Sequence, residues 1–160
     1  MRIGIVAVGR LKNGPEQDIV VRYLERAKKV GGQIGLDIGE IREIPESQLP
    51  GADGRREAEA KALSKGLEDR WRVVALDERG RDTPSVDFAE MLAAWRDDGV
   101  SDTLFVIGGP DGLDPALRRR ADHVLAFGRA TWPHLLVRVL LSEQIYRTTT
   151  ILSGHPYHRA

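Results

Sequence analysis

The sequence predicts an α/β sandwich, three layers with a mainly parallel sheet in the middle. Three observations predict it. Short, nearly continuous apolar runs recur along the chain, each closed by glycine, proline or a charged turn, as buried parallel strands are. Between them lie segments with apolar residues at helical spacing, and that alternation is the pattern of βα units. The length, 160 residues with 41% hydrophobic and 30% charged content, suits one domain (residues 1–160) with a proper core.

The elements follow in order. Residues 2–9 form an apolar run ending on Gly9, a buried strand. Residues 15–30 carry Ile19, Val20, Tyr23, Leu24 and Ala27 at helical spacing, and Gly31-Gly32 stops them. Residues 33–44 read as a second strand, where Gly35 and Gly39 suggest a bulge or a weak edge. Residues 45–54, with two prolines and two glycines, are the best candidate for a mobile loop. A charged helix is expected over 55–70, a strand over 71–77 and a turn over 78–81. Ser85 is positioned as the N-cap of a helix to Asp98, with Phe88, Met91, Leu92 and Trp95 on one face. A strand over 103–107 runs into Gly108-Gly109-Pro110-Asp111-Gly112. Asp114 and Pro115 then place an N-cap and an N1 proline at the next helix. Residues 123–127 make a last short strand, and 135–146 a last, very apolar helix. Five or six strands are expected in all.

Charge is balanced overall, with 24 Lys+Arg against 24 Asp+Glu, which argues against a protein that coats nucleic acid non-specifically. Its distribution is uneven. Residues 118–160 hold seven arginines, no lysine and only Asp122 and Glu143 as acids, together with all four histidines. Arginine suits bidentate phosphate contacts and stacking on flat rings, so this region is a candidate for facing a polyanion. The sequence has no cysteine, which excludes disulfides, thiolate metal sites and thiol nucleophiles. No signal peptide or membrane span is legible, and a cytoplasmic protein is expected.

Chemistry is expected beyond the carboxyl ends of the strands. Three such ends stand out: Leu76-Asp77, the loop from Gly108 to Gly112, and the run Phe127-Gly128-Arg129-Ala130-Thr131-Trp132. Glycines there let backbone approach a ligand where a Cβ would collide. A dinucleotide or P-loop reading is poor, because Gly-x-Gly-x-x-Gly does not follow the first strand and no lysine follows a phosphate-loop glycine pattern. His155 and His158 have metal-capable spacing, but Pro156 separates them and no third ligand is near, so no metal is expected. Serines 142 and 153 lack a nucleophile elbow. The carboxylate pairs Asp97-Asp98 and Glu68-Asp69 fall at helix ends, where solvated charge is ordinary. The helix over 135–146 is apolar on more than one face, which is read either as a central core helix or as a self-association face. Behind it, His155-Pro-Tyr-His-Arg159 packs two imidazoles, a phenol and a guanidinium into a terminus, where an idle chain end is usually featureless.

These pieces together resemble one family. Thr131-Trp-Pro-His134, the run from Leu136 through Arg138, Glu143-Gln-Ile-Tyr-Arg147, the Ile107 to Leu113 loop and the terminal His155 to Arg159 are similar to the 23S rRNA pseudouridine-1915 N3-methyltransferases. Those are minimal SPOUT-class enzymes. Two departures are modest: Arg81 stands where lysine is expected, and Thr148 where alanine is usual. Residues 31–54 match poorly.

The resemblance implies a C-terminal trefoil knot and a homodimer with its active site at the subunit interface. It implies S-adenosylmethionine as methyl donor, held by Leu76, Gly108, Gly109, Phe127, Gly128, Arg129, Ala130, Thr131 and Trp132. Arg138, His155, Tyr157, His158 and Arg159 become the catalytic and RNA-binding candidates. The substrate implied is 23S rRNA within an assembled ribosome, with no DNA and no membrane as partner. The rival readings are a non-catalytic nucleotide- or RNA-binding α/β dimer, and a SPOUT methyltransferase acting on tRNA.

Overall fold

The first apolar run forms strand β1 (Arg2–Val8), and its place inside the sheet, with a strand on either side, follows from its composition. Its side chains are buried on both faces: Ile3, Ile5 and Ala7 on one, Val6 and Val8 on the other. The computed structural model describes residues 1–68 and 70–159, with Glu40 described by its backbone only. Asp69 of the carboxylate pair and Ala160 at the tail's end therefore lie outside the described residues.

After β1 come α1 (Pro15–Gly31), a single 3-10 turn (Gly32–Ile34), β2 (Asp37–Ile44) and α2 (Ala52–Leu63). Then follow β3 (Arg72–Asp82), α3 (Ser85–Asp97), β4 (Asp102–Ile107), α4 (Pro115–Arg120), β5 (His123–Ala126) and α5 (His134–Ser153). The sheet runs in the order β2-β1-β4-β3-β5 with every neighbour parallel. Helices α1, α3 and α5 contribute Ala27, Phe88, Leu92, Leu141 and Ile145 to the core on one face. On the other face α2 and α4 contribute Leu63 and Leu117. This is the three-layer sandwich the alternation predicts.

Several boundaries differ from expectation for physical reasons. Gln33 and Ile34 belong to the 3-10 turn, and Gly35 at φ 75° turns the chain into β2 two residues later. Gly39 does sit at an irregularity of the edge strand, where the register slips between Ile3/Ile38 and Ile5/Ile41. Helix α2 starts earlier, at Ala52, and ends at Leu63, well short of 70. Ser85 does not cap α3: Pro84 holds the extended N-cap position, and the Ser85 hydroxyl donates instead to Gln144 Oε1 of α5 at 2.8 Å. Asp114 behaves as expected, its Oδ1 accepting the amides of Ala116 at 2.7 Å and Leu117 at 3.3 Å.

The largest difference is α5, which continues seven residues past Tyr146. Thr148, Thr149 and Thr150 have modest helix propensity, yet all three are buried within the helix. The Thr149 and Thr150 hydroxyls satisfy themselves on the carbonyls of Tyr146 and Arg147, each at 2.7 Å. Packing overrides propensity here, and Gly154 at φ 68° ends the helix.

Candidate active site

A bulge within β3 and the loops that follow β4 and β5 meet around a cavity of about 720 Å³. That volume lies within the usual range for small-molecule sites. Its apolar wall is Leu76, Ile107, Leu125, Phe127, Trp132 and Val137, and its backbone wall is Gly108 to Gly112. At Gly108 a Cβ would fall 2.8 Å from the Gly112 carbonyl carbon, so only glycine lets this turn fold back on itself. The turn is closed by Gly112 N–H donating to the Gly109 carbonyl at 2.9 Å.

Charge fixes the loops to their neighbours. Arg55 of α2 grips Asp111 in a bidentate pair, Nε to Oδ2 at 2.6 Å and Nη2 to Oδ1 at 3.0 Å. That hydrogen-bonded guanidinium holds the Asp111 carboxyl below its ordinary range. Midway along β3 the pairing with β5 breaks between Leu76 and Arg81, and residues 77–80 form a bulge whose Asp77, Glu78 and Arg79 line the cavity. Asp77 steadies the bulge, its Oδ2 accepting from Arg118 Nη1 at 3.0 Å and its Oδ1 from the Arg79 amide at 2.9 Å. Thr131 donates its hydroxyl to Glu78 Oε2 at 2.5 Å, and Trp132 donates Nε1–H to the Phe127 carbonyl at 2.9 Å. These two bonds shape the loop after β5.

The candidate residues separate into three groups. Leu76, Gly108, Gly109, Phe127, Gly128, Ala130, Thr131 and Trp132 all line the cavity, whereas Arg129 is exposed outside its wall. Arg138 is not at a surface at all. Its side chain is fully buried, and Nη1 donates to Glu43 Oε1 at 2.8 Å while Nη2 donates to the carbonyls of Val8 at 2.5 Å and Gly9 at 2.8 Å. Burial pulls its pKa down and Glu43 opposes the shift. Arg138 thus ties α5 to the end of β1.

The tail forms the third group, and none of its described residues lines the cavity. Tyr157 folds back on α5, its hydroxyl donating to Glu143 Oε1 at 3.0 Å and its ring 4.7 Å from that of Tyr146. The Arg147 guanidinium lies 5.0 Å from the Tyr157 ring centre and also binds Glu143, Nη2 to Oε1 at 2.6 Å. Burial first, then the bonds to Tyr23 and Glu143, push the Tyr157 phenol far above its ordinary 10.0. A phenol so held is a hydrogen-bond donor, not a base. His155, by contrast, is exposed, and its Nδ1 accepts from the Tyr157 amide at 3.2 Å. His158 Nδ1 lies 3.4 Å from Arg147 Nη1, and Arg159 is exposed.

The C-terminal arginine surplus is accordingly less available than composition suggests, since Arg118, Arg138 and Arg147 are paired with Asp77, Glu43 and Glu143. Sequence reading marked the Leu76-Asp77 strand end but missed Arg56, Glu78, Arg79 and His134 as cavity residues. Glu78 and Arg79 adjoin that strand end, whereas nothing local marks Arg56, which comes from α2.

A parallel sandwich with a glycine-turned cavity at its strand ends is the frame of a nucleotide-type cofactor site. A family model described as Predicted SPOUT methyltransferase matches residues 1–158, and the chain belongs to that family. It is similar to the curated Ribosomal RNA large subunit methyltransferase H of Sinorhizobium medicae, at 55% identity over 160 residues and 100% of both chains. The protein of that name from Rhizobium meliloti is 54% identical, again over 100% of both chains. Among solved structures, a probable methyltransferase from Bordetella pertussis Tohama I shares the fold with a TM-score of 0.53 at 14% identity, covering 92% of this chain and 95% of that one.

Proposed function

We propose that this chain transfers the methyl group of S-adenosylmethionine to N3 of a pseudouridine, at position 1915 of 23S rRNA, in the cytoplasm. The relatives that match it end to end are large-subunit rRNA methyltransferases, and the chain is an enzyme of that class. The cavity fits the donor. Leu76, Phe127 and Trp132 offer apolar surface for an adenine, and the side-chain-free turn at Gly108 and Gly109 admits close backbone contact. Glu78 puts negative charge beside a ligand that carries an ammonium and a sulfonium, while the neighbouring Asp77 is paired with Arg118. When bound, S-adenosylmethionine supplies a methyl group on an already activated sulfur. The protein's contribution is alignment of the acceptor nitrogen, removal of its proton and stabilisation of the imide charge.

The observation that carries the dimeric reading is the separation of tail and cavity. Val137 is the cavity-lining residue of α5 nearest the tail, while Tyr157 is anchored to Glu143, about 9 Å further along the helix at 1.5 Å per residue. Reacting groups must approach to about 3–3.5 Å. One chain therefore does not close its own site, and the tail serves the cavity of a second copy. Trp132 and Leu136, 43% and 38% exposed at the head of α5, supply apolar surface for that pairing. We also infer the knot. Gly80, whose Cβ would fall 2.6 Å from the Val124 carbonyl oxygen, supports a path in which the 77–80 bulge wraps over β5.

Calorimetry and ribosome assays test the reading together. The chain should bind S-adenosylmethionine in preference to ATP, and mass mapping should find the new methyl on 23S rRNA of assembled particles lacking it. A preference for ATP, or modification of tRNA alone, would overturn the proposal.

A further inference from the structure

The ends of β1 and β4 are neighbours in the sheet, and each continues into a glycine whose missing side chain leaves room for polar groups. At Gly9 the point where a Cβ would stand lies 3.0 Å from Glu46 Oε1, 3.3 Å from His134 Nε2 and 3.6 Å from Arg138 Nη2. At Gly109 the corresponding point lies 3.2 Å from Glu59 Oε2. Glu59 is 5% exposed, its Oε1 accepts the Ser47 amide at 2.9 Å, and its Oε2 has no hydrogen-bond partner. Two glycines thus open an acid–base cradle against the cavity. Among its members His134 lines the cavity wall and is only half-buried.

We infer that His134 is the general base that takes the N3 proton of the target pseudouridine. The inference rests on the methyl-transfer reading above and assigns the proton to the subunit that holds the cofactor, not to the tail. The N3–H bond breaks, its proton passes to the imidazole lone pair, and its electrons stay on N3. N3 then bonds to the methyl carbon while the carbon–sulfur pair leaves with sulfur as a neutral thioether. The half-buried imidazolium then returns its proton to solvent.

The surroundings suit that cycle. Burial first, and Arg138 of α5 next, hold the His134 pKa below its ordinary 6.5, so the ring is neutral and able to accept at pH 7. Its place as the first residue of α5, at the positive end of the helix, acts in the same direction. Glu46 from the loop after β2 and Glu59 from α2 oppose these effects and stabilise the imidazolium once formed. Glu43 of β2 faces Arg138 instead, and Arg56 of α2 donates to the Asp111 carbonyl across the cavity.

His134→Gln and His134→Ala test the assignment in the full-length protein under single turnover on ribosomal particles. General-base removal is expected to slow methyl transfer about 10²–10⁴-fold. Affinity for S-adenosylmethionine by calorimetry and thermal midpoint should stay at wild-type values. Added imidazole should restore part of the rate to His134→Ala. The wild-type rate should fall only as pH drops through the depressed His134 pKa, below the ordinary 6.5, and nuclear magnetic resonance titration of the free protein should show that depressed pKa. A wild-type chain that never methylates would refute the underlying reading. A methylating wild type with a variant slowed less than threefold, with no imidazole rescue, or with lost cofactor affinity as its only defect, would overturn the role of His134.

Discussion

Replacing Arg138 by methionine keeps most of the side chain's volume and removes its charge, and the structure sets what that should cost. The guanidinium is fully buried and donates to three acceptors from two segments: the Glu43 carboxylate and the carbonyls of Val8 and Gly9. Removing it takes that donor from the Val8 and Gly9 carbonyls and leaves Glu43 Oε1 with only the Leu11 amide, at 2.7 Å, and a buried acceptor left unpaired costs about 1–3 kcal/mol. Breaking one side of a buried ion pair costs about 3–5 kcal/mol. Glu43 retains 29% side-chain exposure and can recover some hydration, which places the expected loss near the lower end, about 3 kcal/mol. With a urea m-value of about 2 kcal/mol/M, the midpoint should fall by roughly 1.5 M at fixed protein concentration. Adding Glu43→Gln to the variant should cost less than the sum of the two single changes, because the carboxylate is then no longer stranded. A midpoint shift under about 0.3 M, with methylation nonetheless abolished, would refute the anchoring role. It would return Arg138 to direct contact with substrate.

Other outcomes follow from the same structure. Gly108→Ala should weaken S-adenosylmethionine binding at least tenfold by calorimetry, since its Cβ meets backbone 2.8 Å away and the turn must open. Tyr157 should ionise well above the ordinary phenol value in an absorbance titration, a late step that Tyr157→Phe removes. Its raised pKa means that the tail's hydrogen bond to Glu143 is intact below pH 10 and is lost only as pH climbs beyond it.

The layered fold was legible because strands buried on both faces must be continuously apolar, and the runs at Ile3 to Val8 and Leu104 to Ile107 are. The length of α5 was not. Three threonines in succession argue locally for an end, and only their burial against the body of the protein reverses that. Strand-end glycines marked the cavity correctly, because a missing Cβ is a property of the residue itself. Arg138 misled for the opposite reason. An arginine on an apolar helix looks like a tool pointed at a phosphate until the β1 carbonyls that hold it come into view. The tail's chemistry was visible, but its distance from the cavity of its own chain is a tertiary fact that no local pattern encodes.

Mixed dimers test that last point most directly. One chain would be truncated after Gly154, keeping its cavity and losing its tail. The other would carry Gly108→Val, keeping its tail and blocking its cavity. Each homodimer should be inactive on ribosomal particles, while the purified mixed dimer, with one intact composite site, should recover up to about half of wild-type turnover. Full activity in the truncated homodimer, or none in a folded mixed dimer that still binds S-adenosylmethionine, would contradict a site built from one protomer's cavity and its partner's tail.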